Sequence, residues 1–463
     1  MSDGRVFSLK ERRRVLFASS AAIFTTPLMA TMVNSAIPTI GREFGVGTHD
    51  QAWITVSFLL ATVCFLLVWA RIADIWGKRK VFILGLLIVM TGGLLSSVAP
   101  TFYFLLLFRM IMGVGAGAIS CTSVALISEV FPRNARGTAL GINTAAVYVG
   151  SSVGPALGGI LTETLGWHST FYMIVPFCII ALVPILMFKT EFAVSAGEPF
   201  DRVGPVVFGT ATVLMTYGML NIPSWWSFLC IVGGTLLMIA FYRHQKREKY
   251  PVLKVSVFSS RKYTRSVTAA FLNYMSSYSV SFFAVLYLQD VNGWSPSYAG
   301  MILLIQPVIQ ALFTPIMGRM SDKIDGRILP TLGMVFLCIG LTVIILFPTD
   351  VSMPMLIFAL ILLGFGYAMF SAPNTNAVMS SVSGRFYSEA AATLSVMRQT
   401  GMLVSMGIAS ACIALFLGSA HISENVPAFM DAMRTAFVIF VGMSIMGTLL
   451  SWYRGADTGL ISA

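Results

Sequence analysis

The 463-residue sequence predicts an all-α integral membrane protein with fourteen transmembrane helices in a 6+2+6 arrangement, and three observations carry that prediction. Hydrophobic residues make up 57% of the chain and charged residues only 11%, which excludes an ordinary soluble globular protein. Fourteen apolar runs come close to or exceed the ~20 residues needed to cross a hydrocarbon core. A charged turn also recurs: Ala70-Arg71-Ile72-Ala73-Asp74-Ile75-Trp76-Gly77-Lys78-Arg79-Lys80 follows the second run, and Gly318-Arg319-Met320-Ser321-Asp322-Lys323-Ile324-Asp325-Gly326-Arg327 follows the tenth. One turn repeated at corresponding places implies a duplicated bundle with pseudo-twofold halves that move against each other.

The runs fall near 15–37, 52–71, 81–99, 102–125, 138–162, 168–188, 203–221, 225–242, 266–289, 297–317, 328–347, 353–377, 389–417 and 434–453. Because the turn recurs after spans 2 and 10, the repeat unit is six spans and spans 7 and 8 are inserted. Residues 1–190 then form the first half, 191–264 the inserted pair with a basic linker, and 265–463 the second half. Threading the spans with both termini on one side puts nearly all bases outside the spans on that side, among them Lys78, Arg79, Lys80, Arg133, Arg136 and the cluster from Arg243 to Arg265. Only Arg42 and Arg434 fall on the other side, so the termini are expected in the cytoplasm and the chain in the plasma (inner) membrane. The eight tryptophans fall at or near span ends, where amphipathic rings settle.

The net charge of +11 would fit nucleic acid if it were gathered on a soluble surface. Distributed along one side of a membrane, it fits anionic headgroups instead, and no nucleic-acid partner is expected. The six cysteines lie inside apolar runs without metal-like or paired spacing and read as packing thiols. Lys10 to Arg14 precede a run too long for a signal-peptide core. No metal, cofactor or enzymatic group is expected, since no histidine lies near mid-membrane and no phosphate-cradling loop is present. The chain is expected to work as a monomer.

Several residues stand out against this apolar background. Arg109 and Arg398 are bases inside spans, where an unpaired charge is expensive enough to make them functional candidates. They could equally be neutralised by backbone carbonyls and never meet a ligand. Asn34, Asn273, Tyr278, Gln289, Gln306, Asn374 and Gln399 are polar positions that could line a pathway, or simply bond helix to helix. The acids all lie near span ends. A central cavity should therefore be neutral or positive and should favour neutral or anionic amphiphiles over dications. Glu163, Asp290 and Glu389 are among these span-end acids. Asp74 and its repeat Asp322 can accept from exposed helix amides, with Arg71, Gly77, Arg79 and Arg327 in the same turns and Glu129 as an acid for the arginines to meet. Such a set would form a conformational latch. Gly150, Gly154 and Gly158 lie four apart, so another helix can approach closely, and Pro155 bends the span beside Gly159.

At these positions the chain resembles the major facilitator superfamily, in its fourteen-helix drug:proton antiporter branch, over nearly its whole length. Ala70 to Lys80 is similar to the motif between helices 2 and 3, with Ala70 where glycine is usual. Leu105 to Gly117, with Arg109 and Gly113, resembles the helix 4 arginine motif, although Met112 stands where glutamine is common. Gly150-Ser151-Ser152-Val153-Gly154-Pro155-Ala156-Leu157-Gly158-Gly159 matches the helix 5 antiporter motif at its fixed positions, and Arg398-Gln399-Thr400-Gly401 is similar to a helix 13 signature. The helix 1 signature is present from Leu28 to Pro38, but Met29 occupies the place of its aspartate.

The resemblance implies secondary active export of small amphiphilic molecules by alternating access, of multidrug-efflux type, with proton antiport. The absent helix 1 carboxylate leaves the proton carrier open, with Glu163, Asp290 and Glu389 the remaining span-end acids to consider first. It also keeps a second expectation in play, a facilitator or exchanger of one anionic or lipid-like metabolite. A third is a sensor or scaffold on a transporter fold.

Overall fold

The computed structural model describes residues 7–193, 195–253, 255–321, 323–382, 387–418 and 421–454. Among them fourteen helices are long and apolar enough to cross a membrane. They are α1 (Leu9–Asn34), α2 (Thr48–Trp76), α3 (Lys78–Ser97), α4 (Phe102–Val130), α5 (Arg133–Leu165), α6 (Ser169–Leu186) and α7 (Val203–Leu220). The remainder are α8 (Trp225–Arg247), α9 (Arg261–Val291), α10 (Pro296–Ser321), α11 (Ile328–Ile345), α12 (Met353–Ser380), α13 (Tyr387–Phe416) and α14 (Val426–Trp452). No strand occurs among the described residues. An even number of crossings leaves both termini on one side, called here the near side, and the opposite one the far side.

Most helices run past their apolar runs, and several of the extensions carry side-chain caps, at Ser8, Ser260, Ser295 and Asn425. α1 begins six residues before its run: Ser8 accepts from Glu11 N while the Glu11 carboxylate accepts from Ser8 N, closing a capping box. A short helix, Ile37–Phe44, follows α1 on the far side, with Pro38 in its first turn and Gly45 at φ 63° ending it.

Packing explains the apolar excess. Within each half the helices pack closely: α1 lies on α5, α4 on α2 and α3, α11 on α12 and α14, and α9 on α13, while the buried apolar residues of both halves join in one core. Close approach is set by glycines. A Cβ on Gly113 would strike Phe58 O in α2, and Gly85 and Gly115 face each other across α3 and α4. The inserted α7 and α8 pack on one another, and α7 touches α2 of the first half and α13 of the second. Side chains such as Phe228, Leu236 and Val232 on α8 remain exposed, as a lipid-facing helix requires.

Candidate functional site

The intramembrane bases lie at the boundary between the halves. Arg109 is seven residues into α4 from its far-side end, roughly 10 Å at helical rise. It is completely buried. Its Nε donates to Ile54 O at 2.9 Å, and the guanidinium lies 5.0 Å from the Phe58 ring centroid and 5.9 Å from that of Phe171. Both terminal nitrogens lack a hydrogen-bond partner. Across the boundary, Tyr278 of α9 is within electrostatic range. One carbonyl thus satisfies one of the five N–H donors, and ring faces take part of the remaining charge.

Arg398 is eleven residues into α13, roughly 16 Å from its near-side end and so close to mid-bilayer. Its Nη2 donates to Thr375 Oγ1 at 2.5 Å, and its guanidinium sits 5.7 Å from the Tyr274 centroid. Its Nε is buried without a partner. Four tyrosines gather around these bases. Tyr148 of α5 makes a short hydroxyl hydrogen bond with Ser371 of α12, joining the two halves. It also lies within electrostatic range of Tyr274 and Arg398. Tyr367 hydrogen bonds Ser277 and is in range of Tyr274 and Tyr278. The sequence singles out Tyr278 and leaves Tyr148 and Tyr367 aside, because neither departs from ordinary apolar patterning.

The other polar positions separate by place. Asn34 is buried and accepts from Thr55 Oγ1 at 3.1 Å, tying α1 to α2. Asn273 is buried against Met334 Sδ at 3.0 Å, with its Oδ1 unpartnered. Gln306 and Gln399 are half-buried. Asn374 is fully buried: its Nδ2 donates to Ser266 O at 3.1 Å and its Oδ1 accepts from Arg454 at 3.0 Å. Arg454, just beyond α14, also donates to Ser266 and Ser451, so Asn374 belongs to a clamp on the near side. Burial lowers the Arg454 guanidinium to about 10, with the charge of Asp325 opposing the fall.

Gln289 belongs to the far-side closure between the halves, where its Nε2 donates to Ser35 O at 3.1 Å. One face of the helix 5 motif takes part in that closure, and the other packs within the first half. Gly150, Gly154 and Gly158 all face α1, where a Cβ would strike Phe24 O, Thr31 and Met32 O. On the other face, Gly159 abuts Pro296 O of α10, and Gly300 of α10 abuts Pro155 O. Ser35 Oγ donates to Pro155 O at 3.0 Å, and Ser297 N donates to Glu163 at 3.1 Å. Glu163 is exposed and caps the first turn of α10. Asp290 is half-buried beside Gln289. The Glu389 side chain and Asp322 lie outside the described residues.

The near-side turn is knitted differently from the expected pairing of Arg71 and Arg79 with Glu129. Gly77 adopts φ 123°, which favours glycine, and reverses the chain so that Lys78 turns inward. Lys78 Nζ then meets Glu129 at 2.6 Å and Asp74 at 3.9 Å. Arg71 pairs with Glu198 at 2.9 Å, and Arg79 donates to Ile185 O and Leu186 O at the end of α6. The Glu191 carboxylate accepts from Arg79 N at 2.8 Å and Lys80 N at 3.2 Å, so it satisfies the free amides opening α3. A Cβ on Gly77 would strike that carboxylate. Arg327 of the second copy pairs with Asp325 at 2.7 Å, which holds the Asp325 carboxyl below its ordinary range. The roles of Glu191 and Glu198 escape sequence reading because they come from the connection after α6, over 100 residues away.

Asp201, His244 and Glu248 bring potential ligand atoms within 4.8 Å of one another. Asp201 is already occupied, accepting from Val203 N, Gly204 N and Gln245 Nε2 at 3.1, 2.9 and 2.7 Å. It caps α7 and binds it to the end of α8. A crevice of about 820 Å³ opens on the far side among α2, α4 and α7, lined by Asp50, Trp53, Tyr103, Leu106, Met110 and Tyr217, among others. All six cysteines are free thiols.

Residues 20–260 and 267–460 match the Major Facilitator Superfamily. Multidrug resistance protein Stp of Mycobacterium tuberculosis is 28% identical over 421 residues, covering 89% of this chain and 78% of that protein. The riboflavin transporter RibZ of Clostridioides difficile is 26% identical over 445 residues, covering 96% and 97%. The drug efflux pump JefA of Mycobacterium tuberculosis is 26% identical, covering 93% and 86%. Among solved structures, a bacterial homologue of the human lysosomal transporter Spinster superposes with TM-score 0.68 at 16% identity over 97% of this chain and 98% of that one. A POT family transporter bound to 5-aminolevulinic acid superposes with TM-score 0.71 at 15% identity over 95% and 96%. With the family matched across both halves, fourteen membrane-length helices and bases facing the boundary between them, the chain belongs to the Major Facilitator Superfamily and is a multi-pass membrane transporter, not an enzyme.

Proposed function

We propose that this transporter exports small amphiphilic molecules by alternating access, coupled to proton antiport, as a monomer in the plasma (inner) membrane with its termini in the cytoplasm. Export is supported by two relatives named for drug resistance or efflux. Orientation is supported by the bases concentrated on the near side. The observation that carries the cargo reading is the convergence of Arg398, Tyr148, Tyr274, Tyr278 and Tyr367 from both halves, with Arg109 in range. Every acid on the fourteen helices sits within two turns of a helix end, so this cluster carries positive charge and ring faces without a deep carboxylate. Such a site suits flat, aromatic cargo that is neutral or anionic.

A second reading, a carrier for one aromatic metabolite, is favoured by the likeness to a riboflavin transporter, which spans nearly all of both chains. Reconstitution into proteoliposomes separates the two. Uptake of cationic, neutral and anionic amphiphiles is measured with and without an imposed pH gradient. Acceleration of several neutral and anionic aromatics by the gradient is expected. Transport of one compound only would support the second reading, and transport of cations alone would defeat the charge argument.

A further inference from the structure

The far-side closure holds a half-buried carboxylate, Asp290, without a direct partner among the described residues. Asp290 lies in the last turn of α9, where Tyr287–Val291 winds as a π-helix. Single π turns inside α-helices commonly mark functional positions. Neighbours pin this turn: Gln289 donates across the boundary to Ser35 O, Asn292 Nδ2 donates to Tyr287 O at 2.9 Å, and Val351 N donates to Asn292 Oδ1 at 2.9 Å. The half-buried Asp290 carboxylate makes no hydrogen bond or ion pair among the described residues.

Its charged surroundings come from several elements. Arg42, in the short helix after α1, and His421, before α14, lie within electrostatic range. Glu424 stands in the short helix packed against the same turn, and its carboxylate accepts from His421 N at 3.2 Å. Asp350 acts on Tyr287 in the same turn, and the stretch of α10 that follows the turn, Pro296–Leu303, contributes only Tyr298 as a titratable group. Arg42 is exposed, and its solvent-screened attraction does not replace lost hydration. A carboxylate closed into this turn is therefore more stable carrying a proton, whereas one exposed to water is more stable ionised.

We propose that Asp290 is the acid whose protonation licenses closure of the far side. A proton from the far-side solution adds to a carboxylate oxygen, the halves close over the neutral acid, and the proton returns to water when the face reopens. This step rests on the alternating-access reading. It distinguishes Asp290 from Glu163, whose carboxylate already caps α10. The linkage has a definite sign: closure is favoured while Asp290 is protonated and loses that support as pH rises through its titration.

Hydrogen exchange on the full chain in nanodiscs, without cargo, tests the proposal independently of transport. Peptides spanning 35–44 and 287–300 are followed at about pH 5.5 and about pH 8, after correction for chemical exchange. In the wild type, exchange should rise at least about 5-fold at the higher pH, the lower end of ordinary coupling. Asp290→Asn should stay protected at both values, and Asp290→Glu should keep the response. Peptides from α3 report whether each variant is folded. A flat wild-type response, an unchanged response in Asp290→Asn, or loss of the response in His421→Ala would overturn the proposal. None of these outcomes bears on which cargo is carried.

Discussion

At the residue scale, the charges that matter are those whose surroundings only partly compensate them. Arg398 has one hydroxyl acceptor, one ring face and a buried nitrogen without a partner. On the proposed reading this charge meets the cargo, and Arg398→Gln should lower transport of an anionic aromatic by about tenfold or more while sparing a neutral analogue. Arg398→Lys should recover only part of that loss, because an ammonium lacks the planar group that lies over Tyr274. Matched uptake assays of the two analogues check both outcomes. Asp201 shows the opposite condition. Burial would raise its carboxyl, but hydrogen bonds from Gly204, Gln245 and His244, with the charge of His244, outweigh that and hold it below the ordinary range. Its contribution to stability is full above about pH 4 and lost as pH falls through the lowered value. Acid unfolding of Asp201→Asn should therefore show a weaker pH dependence than the wild type.

At the scale of elements, α5 presents two faces with different work. Gly150, Gly154 and Gly158 pack within one half, whereas Gly159 meets α10 across the boundary. The same substitution should therefore have two outcomes. Gly154→Val would press on Thr31 and Leu28 of α1 and should destabilise the fold by about 1–3 kcal/mol, seen as a lower thermal midpoint. Gly159→Val or Gly300→Val would press on the backbone of the facing helix only when the far side is closed. These variants should insert and fold but exchange faster in the 287–300 peptides. Normal protection of those peptides in both variants would exclude this contact as part of the closure.

At the scale of the whole molecule, the near-side turn binds α2, α3, α4 and the connection leading to the inserted pair into one unit. Its ties are Lys78 to Glu129, Arg71 to Glu198 and Glu191 to the start of α3. Asp74 is joined to Lys78 at 3.9 Å through its side chain and to Ser195 N at 2.9 Å through its carbonyl. Asp74→Ala should abolish transport with the protein still in the membrane, the outcome the proposed latch requires. Wild-type uptake by that variant would remove the latch. Glu191→Ala strips two amides of their acceptor and should cost about 1 kcal/mol of stability, measurable in a thermal shift.

Hydropathy by itself determined the fourteen helices, because a bilayer leaves a long apolar run no other way to satisfy its backbone. The recurring turn and the glycine spacing announced a duplicated transporter with a tightly packed α5. The expected stretches reappear as helices, lengthened where polar caps such as Ser8 with Glu11 continue them beyond the lipid. Only tertiary structure decided which partners those residues take. Nothing in the sequence places Glu191 on the start of α3, Asn374 under Arg454, or Tyr148 against Ser371. Each of these contacts joins positions far apart in the chain, and their geometry is set by how whole helices pack. Periodicity tells which face of a helix is apolar, but the identity of its neighbour is fixed only when fourteen such faces close on one another.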